Sequence, residues 1–420
     1  MSSRIDSLLR LFFLRPLQSA YRSVRTALYQ VQRIIGGLLG SNEIFVFGKN
    51  ITQEEMSEVV ARMQYYLPDF PRQKIRRVRR LPWRALLSSD PVLLFGNSSR
   101  FVRSLQKFLH NVFSIDYRSN PQDGWEWVRL VNLWREHKPP VQRARVVFAR
   151  RVEVLKDQKL DKSYIFGTGP SLEKAIDRDW SDGYRIVSNT IVRDPVLWRH
   201  LDPHFVVAAD AIYHFGHTSF AKAFRRDLMA RLSETQTLFV YPDFFDPIVR
   251  REFTRCSAQL IPISRGHHDD ISVDLTRRFN LPNLGNVLPL LLLPLGCTLA
   301  KTVCLWGFDG RAPSDKLFWS NSNKHTYQEL IPELQKAHPG FFRHYVPKED
   351  PTKYVRKYHG DALDGRMTAA EKSGYRFIML HPSWTAALNK RYLGDGRSKQ
   401  ILDQIPRRGV ADDDSVPVQT

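Results

Sequence analysis

The sequence predicts an α/β protein built on parallel sheets, and three observations carry the prediction. Short apolar runs of strand length alternate with stretches of helical periodicity. Three of the runs end alike, in Phe-Gly and a polar residue: Phe47-Gly48-Lys49, Phe95-Gly96-Asn97 and Phe166-Gly167-Thr168. The third continues into Gly169-Pro170-Ser171, a junction from strand through glycines into a helix. With 420 residues, of which 42% are hydrophobic, the chain can supply two cores of roughly 150 residues each. The expected divisions are a segment over 1–40, a small α/β domain over 43–157, a larger one over 162–390 and a flexible tail over 396–420.

The first segment carries Arg4, Arg10, Arg15, Arg22, Arg25 and Arg33 against a single acid, Asp6. Apolar residues at 17, 21, 24, 28, 31 and 35 follow helical spacing, and Pro16 separates two short helices. Such a basic amphipathic helix either lies in a membrane interface or packs on the protein's own core. Arginines interrupt every apolar core a secretory signal would need. The most apolar run, 287–300, is too short to span a bilayer and reads as a buried helix.

In the small domain, Glu43–Gly48, Pro91–Gly96 and Val112–Asp116 are expected strands. Thr52 and Glu55 have the spacing of a capping box, so a helix is expected over Thr52–Leu67. Asn97 or Ser98 should cap a helix running to about His110. The basic run Arg72–Arg80 reads as a solvated face or as a contact for a polyanion or lipid headgroup. In the larger domain the expected strands are Tyr164–Phe166, Arg185–Ser188, His204–Ala208, Leu238–Tyr241, Thr302–Trp306 and Tyr375–Leu380.

The net charge is +20, which favours anionic partners. The three cysteines, Cys256, Cys297 and Cys304, form neither a disulfide framework nor a zinc motif. No metal site is indicated, and a reducing cytoplasmic setting is the default.

The residues that can carry chemistry cluster at expected strand ends. Gly167 and Gly169 let the backbone turn tightly, and Pro170 and Ser171 suit a first helical turn. The amide groups there would form an anion site supported by the helix dipole, at the sheet edge where such folds bind nucleotides. Asn189 and Asp210 follow the next two strands; each either faces a ligand or caps the following helix. Gly285-Asn286 heads the buried apolar helix. That helix should turn at Gly296 into a strand ending in Gly307-Phe308-Asp309-Gly310, which puts Asp309 at the same edge.

The order G-x-G-P-S-L, an Asn after the second strand, a polar residue after the third, Gly-Asn before an apolar helix, then L-W-G-F-D-G, resembles the bacterial sialyltransferase-like glycosyltransferase superfamily. That group includes related motility-accessory and pterin pyrophosphokinase-like proteins. The likeness covers about 162–390 and reaches the last strand and turn, Arg376–Ser383. It implies a Rossmann-like parallel sheet with a lid insertion, Gly167, Thr168, Gly169, Pro170 and Ser171 on the donor phosphate and ribose, and nucleotide contacts from Asn189, Asp210, Gly285, Asn286, Gly307, Asp309 and Ser383. It further implies metal-independent chemistry, with no cofactor besides a nucleotide-sugar donor, CMP-sugar favoured, and a lid histidine as base. The H-Y-x-G-H-S lid motif is absent. The candidates in the lid region, Arg311–Tyr345, are His325, then His344 and His338, with Tyr327 and Tyr345 placed to assist.

These readings together give an expectation of sugar transfer to a surface polysaccharide or lipid-linked glycan. The enzyme would be cytoplasmic and peripheral on the inner membrane through residues 1–36. The alternatives are a pyrophosphokinase using ATP and Mg²⁺ through Asp210 and Asp309, and a non-catalytic basic module for membrane or polyanion. No nucleic-acid motif supports a specific nucleic-acid partner.

Overall fold

In a computed structural model the described residues are 40–405, apart from 49, 81, 89, 97–105, 107, 136–137, 313, 316–320 and 346–360. Positions 23, 26–28, 30–32 and 34 are also described. Expectations for the rest of 1–39, for the cap at Asn97 or Ser98 and for 406–420 lie outside the described residues. The fold is α/β, with two parallel sheets in two compact units. The first unit comprises residues up to 137 together with His338–Phe341, and the second comprises the remainder.

The first unit holds a four-stranded sheet in the order β2-β1-β3-β4, with β1 Ile44–Phe47, β2 Ile75–Val78, β3 Val92–Leu94 and β4 Val112–Ser114. Helix α1, Gln53–Tyr66, starts from a complete capping box: Thr52 Oγ1 accepts the Glu55 amide at 3.1 Å and Glu55 accepts the Thr52 amide at 2.8 Å. Helix α2, Asp123–Arg135, packs on it with Trp127 stacked on Tyr66. The buried charge between them is matched. Asp123 takes Arg62 at 3.2 Å and the His338 ring at 2.8 Å.

One sequence reading changes here. The basic run contains a strand: β2 is the sheet's edge, and its Arg76 and Arg77 face solvent. Period-two burial is weak at an exposed edge, so charge hid the strand. In the described part of the first segment, Gln32 donates to Leu86 carbonyl at 2.7 Å and to Asn111 Oδ1 at 3.0 Å. Gln32 is thereby tied to the unit, while Val31 and Ile34 beside it are exposed.

The second unit begins near Lys138, about twenty residues ahead of the expected boundary. Helix α3, Val141–Lys156, belongs to it because Ala144, Phe148, Val152 and Leu155 pack into its core. The seven-stranded sheet runs β11-β10-β5-β6-β7-β8-β9, all neighbours parallel. Its strands are β5 Lys162–Phe166, β6 Tyr184–Ser188, β7 Phe205–Val207, β8 Leu238–Pro242, β9 Leu260–Ile263, β10 Thr302–Trp306 and β11 Arg376–Met379. The central strands are buried on both faces, as parallel sheets require. Ile165, Ile186, Val303 and Leu305 join the main core, while Tyr164 and Phe166 pack against Trp180. β9 was not foreseen, because Pro262 argues against a strand; at a sheet edge proline is tolerated.

The buried apolar helix is present as a π-helical turn, Leu288–Leu292, leading into α4, Leu293–Leu299. It does not turn at Gly296. A Cβ there would meet Val303 at 3.0 Å and Ser163 Oγ at 3.2 Å, so glycine lets the helix lie close on β5 and β10. The described part of the expected tail, up to residue 405, is ordered into the fold. Residues Gly394–Gln404 are helical, Ile405 is fully buried, and Arg178 donates to the carbonyls of Leu402 and Ile405.

Candidate functional site

β5 is the point where chain order reverses. β6 to β9 follow on one side, and β10 and β11 lie on the other. A crevice opens outside the carboxyl ends of parallel strands at such a point, where ligands of open α/β sheets bind. Here a cleft lies at that edge, about 790 Å³ including its open mouth. Gly167, Thr168 and Gly169 line it from the end of β5, and Ser188 and Asn189 from β6. Gly307–Arg311 line it from β10, Asn286–Leu288 from the head of the buried helix, and Thr385 and Leu388 from the segment after β11.

Seven predicted residues therefore meet in one place: Gly167, Thr168, Gly169, Asn189, Asn286, Gly307 and Asp309. Asn189 sits at φ +51°, the left-handed region, as the chain leaves β6. Its Oδ1 is buried with no hydrogen-bond partner among the described residues. A buried acceptor without a donor is costly, on the order of 1–3 kcal/mol, and a ligand's N–H or O–H would remove that cost. Asn286 Oδ1 caps its own helix by accepting the Leu288 amide at 2.8 Å.

The glycine turn is built differently from the expectation. The amides of Gly167, Gly169 and Ser171 are held by protein groups rather than left open to an anion. Gly169 N–H donates to Gly307 carbonyl at 2.8 Å, and Ser171 N–H donates to both Asp309 carboxylate oxygens at 3.2 Å. A Cβ on Gly169 would lie 2.1 Å from Asp309 Oδ2, and one on Gly307 would lie 2.4 Å from Gly167 carbonyl. The interlock of the turns after β5 and β10 by itself requires glycine at these positions. Pro170 is exposed and does not line the cleft.

Ser171 and Asp309 instead belong to a clamp whose third member, His381, the sequence reading did not single out. Ser171 Oγ lies 2.8 Å from Asp309 Oδ2 and 2.9 Å from His381 Nε2. His381 Nδ1 is 2.8 Å from Pro382 carbonyl, which can only accept, so Nδ1 carries the ring proton. Nε2 is then an acceptor and takes the Gly307 amide at 3.1 Å. Burial lowers the His381 pKa, with Asp309 opposing. Ser383 completes the clamp from the segment after β11: its hydroxyl donates to Phe308 carbonyl at 2.7 Å. The signal for His381 was its place directly after an apolar strand.

The remaining predicted residues lie elsewhere. Asp210 closes its own turn, accepting the amides of Ile212 at 2.8 Å and Tyr213 at 2.7 Å, whereas the following helix, Ser219–Glu234, is capped by Thr218. Gly285 is exposed beside the cleft. His325 is 1% exposed, with Nδ1 2.7 Å from Ser322 Oγ and Nε2 3.2 Å from Asp194; burial lowers its pKa, against Asp194. His338 is buried on Asp123 within the first unit. His344 is exposed on helix Pro339–Tyr345.

The described part of the expected lid is fastened down. Thr168 Oγ1 donates to Asn321 at 2.9 Å, Ser322 Oγ to Glu173 at 2.8 Å, and Tyr327 hydroxyl to Asp227 at 2.6 Å. Arg311, which only marked the start of this region in the sequence, brings a buried guanidinium to the cleft wall and is anchored to Asp315 carbonyl at 2.8 Å. No protein-family model, curated protein or solved structure matches the chain.

Proposed function

We propose that the second unit binds a nucleotide-linked sugar in this cleft and transfers the sugar to a glycan acceptor. The observation that carries the reading is the convergence of three strand ends and a helix head at the order reversal, around the unpartnered Asn189 Oδ1. That atom calls for a donor, such as the exocyclic amine of a cytosine or a ribose hydroxyl. Because protein groups hold the turn amides, the positive charge for a departing phosphate comes from Arg311. Of the three candidate bases, His344 is the one open to solvent, while His325 would act only after its bonds to Asp194 and Ser322 break.

Thermal-shift measurements against CMP-, UDP- and GDP-sugars and ATP, with and without Mg²⁺, test the proposal. A ligand at a hundred times its Kd stabilises by about 2.7 kcal/mol, and the expected result is a shift with a CMP-sugar that Mg²⁺ does not alter. A shift with ATP alone that requires Mg²⁺ would favour phosphoryl transfer instead. The absence of any shift would remove the nucleotide reading.

A further inference from the structure

We propose that the first unit carries a docking surface for an anionic lipid bilayer, centred on Trp83 and Leu87. Over the twenty residues from Phe70 to position 89 there are seven cations, Arg72, Lys74, Arg76, Arg77, Arg79, Arg80 and Arg84, and no acid. Two of them have partners: Arg76 pairs with Glu43 at 2.7 Å and Arg72 bonds to Gln64. The side chains of Lys74, Arg77, Arg79, Arg80 and Arg84 are exposed and have no ion-pair or hydrogen-bond partner among the described residues. Such a field fits a solvated face as well as a ligand, so charge alone does not decide.

The apolar residues among those cations decide it. The chain leaves β2 and enters a one-turn helix, Trp83–Leu87. Ala85 and Leu86 point into the core, at 3% exposure each, whereas Trp83 is 58% exposed and Leu87 57%. Four residues apart on a helix, these two side chains share a face. Arg84 lies between them in sequence, and Arg79 and Arg80 come just before. A large indole and a leucine presented together, with exposed arginines beside them in the chain, match the boundary between headgroups and acyl chains. There an indole sits at headgroup depth, an aliphatic side chain enters the hydrocarbon, and arginines reach phosphates. A nucleic-acid backbone would use the arginines and could stack on the tryptophan, but it offers nothing to Leu87. The surface adjoins Gln32 of the first segment, which donates to the Leu86 carbonyl, and it belongs to the first unit whereas the cleft belongs to the second.

The test uses the full chain with a fluorophore at the patch itself. All three native cysteines are buried, so Leu87→Cys can be labelled selectively with an environment-sensitive dye. Val196→Cys, at an exposed position of the second unit, serves as the control. Vesicles of phosphatidylcholine with phosphatidylglycerol should blue-shift the dye at 87 and leave the dye at 196 unchanged, and pure phosphatidylcholine should do neither. In co-sedimentation, Trp83→Ala with Leu87→Ala should lower partitioning about tenfold. Arg79→Gln, Arg80→Gln and Arg84→Gln together should lower it about a hundredfold at low salt. Both sets lie at exposed positions, and an unchanged melting temperature would verify folding. The proposal is overturned by an unshifted dye at 87 on anionic vesicles, by wild-type partitioning of the apolar double variant, or by a random-sequence oligonucleotide displacing the protein from vesicles in a manner insensitive to Trp83 and Leu87.

Discussion

The two sheets use the same local device at their carboxyl edges and finish it differently. In each, a strand ends in Phe-Gly, and the glycine lets a neighbouring strand end come within contact. A Cβ on Gly48 would lie 2.5 Å from Phe95 carbonyl, and one on Gly167 would lie 2.5 Å from Gly307 carbonyl. In the first unit the space beyond is taken by Ile51, 3% exposed and against Gly48. Arg118 also stacks on Phe95 and pairs with Asp116 and Glu55. In the second unit the residues beyond the glycines are polar and the edge opens into a cleft lined by Asn189 and Arg311. The Phe-Gly ending is thus a rule for packing strands closely. What makes a site is the chemistry placed after it.

The sharpest test of that distinction is to fill both glycine contacts. Gly169→Ala has an ordinary backbone, φ −66°, so its cost is purely steric: the new methyl meets a carboxylate and a carbonyl. We expect a loss of more than about 3 kcal/mol in denaturant unfolding and disappearance of any nucleotide-induced stabilisation. Gly48→Ala should destabilise comparably while leaving that stabilisation intact in whatever fraction stays folded. A nucleotide response that survives Gly169→Ala would break the comparison.

Acid should separate the units next. Burial holds His204 and His214 down at about 3, helped by nearby arginines, and it lowers His268, His325 and His381. All five lie in the second unit. The unfolded chain takes up these protons near 6.5 and the folded chain does not, so stability is full above 6.5 and falls as pH drops below it. The loss is on the order of 2 kcal/mol by pH 5 for each of His204 and His214. Unfolding followed at pH 7.5 and pH 5.0 should show the second unit failing first, and His214→Gln should flatten its acid limb by about one proton.

A smaller effect tests the cleft alone. Asn189→Gly keeps the left-handed backbone and removes the side chain, so nucleotide affinity in titration calorimetry should fall about tenfold while unliganded stability rises as the buried acceptor is removed. The smallest effect expected is in the first unit. Thr52→Ala removes the cap of α1 and should cost about 1 kcal/mol without touching nucleotide affinity.

Much of the fold was legible because buried parallel strands announce themselves as short apolar runs. Six of the seven strands in the second sheet follow from that pattern, and the capping box from Thr52 and Glu55 alone. The edge strands were hidden, since β2 is half arginine and β9 contains Pro262. At the cleft, residue types and order sufficed to gather Gly167, Asn189, Asn286 and Asp309. Sequence could not show where hydrogen bonds go: Ser171 and Asp309 satisfy each other, Asp210 satisfies its own turn, and His325 is buried. Nor could it show that His381, more than 200 residues from Ser171, closes the same clamp.

That clamp has a consequence for how the protein is made. Its parts come from positions 171, 307, 309, 381 and 383, and the cleft wall extends to Leu388. During synthesis the first unit's sheet can form while most of the chain is still being added. The cleft has no complete wall until residue 388 has left the ribosome's exit tunnel. Any capacity of this protein to hold a ligand there would appear abruptly, once that residue has emerged.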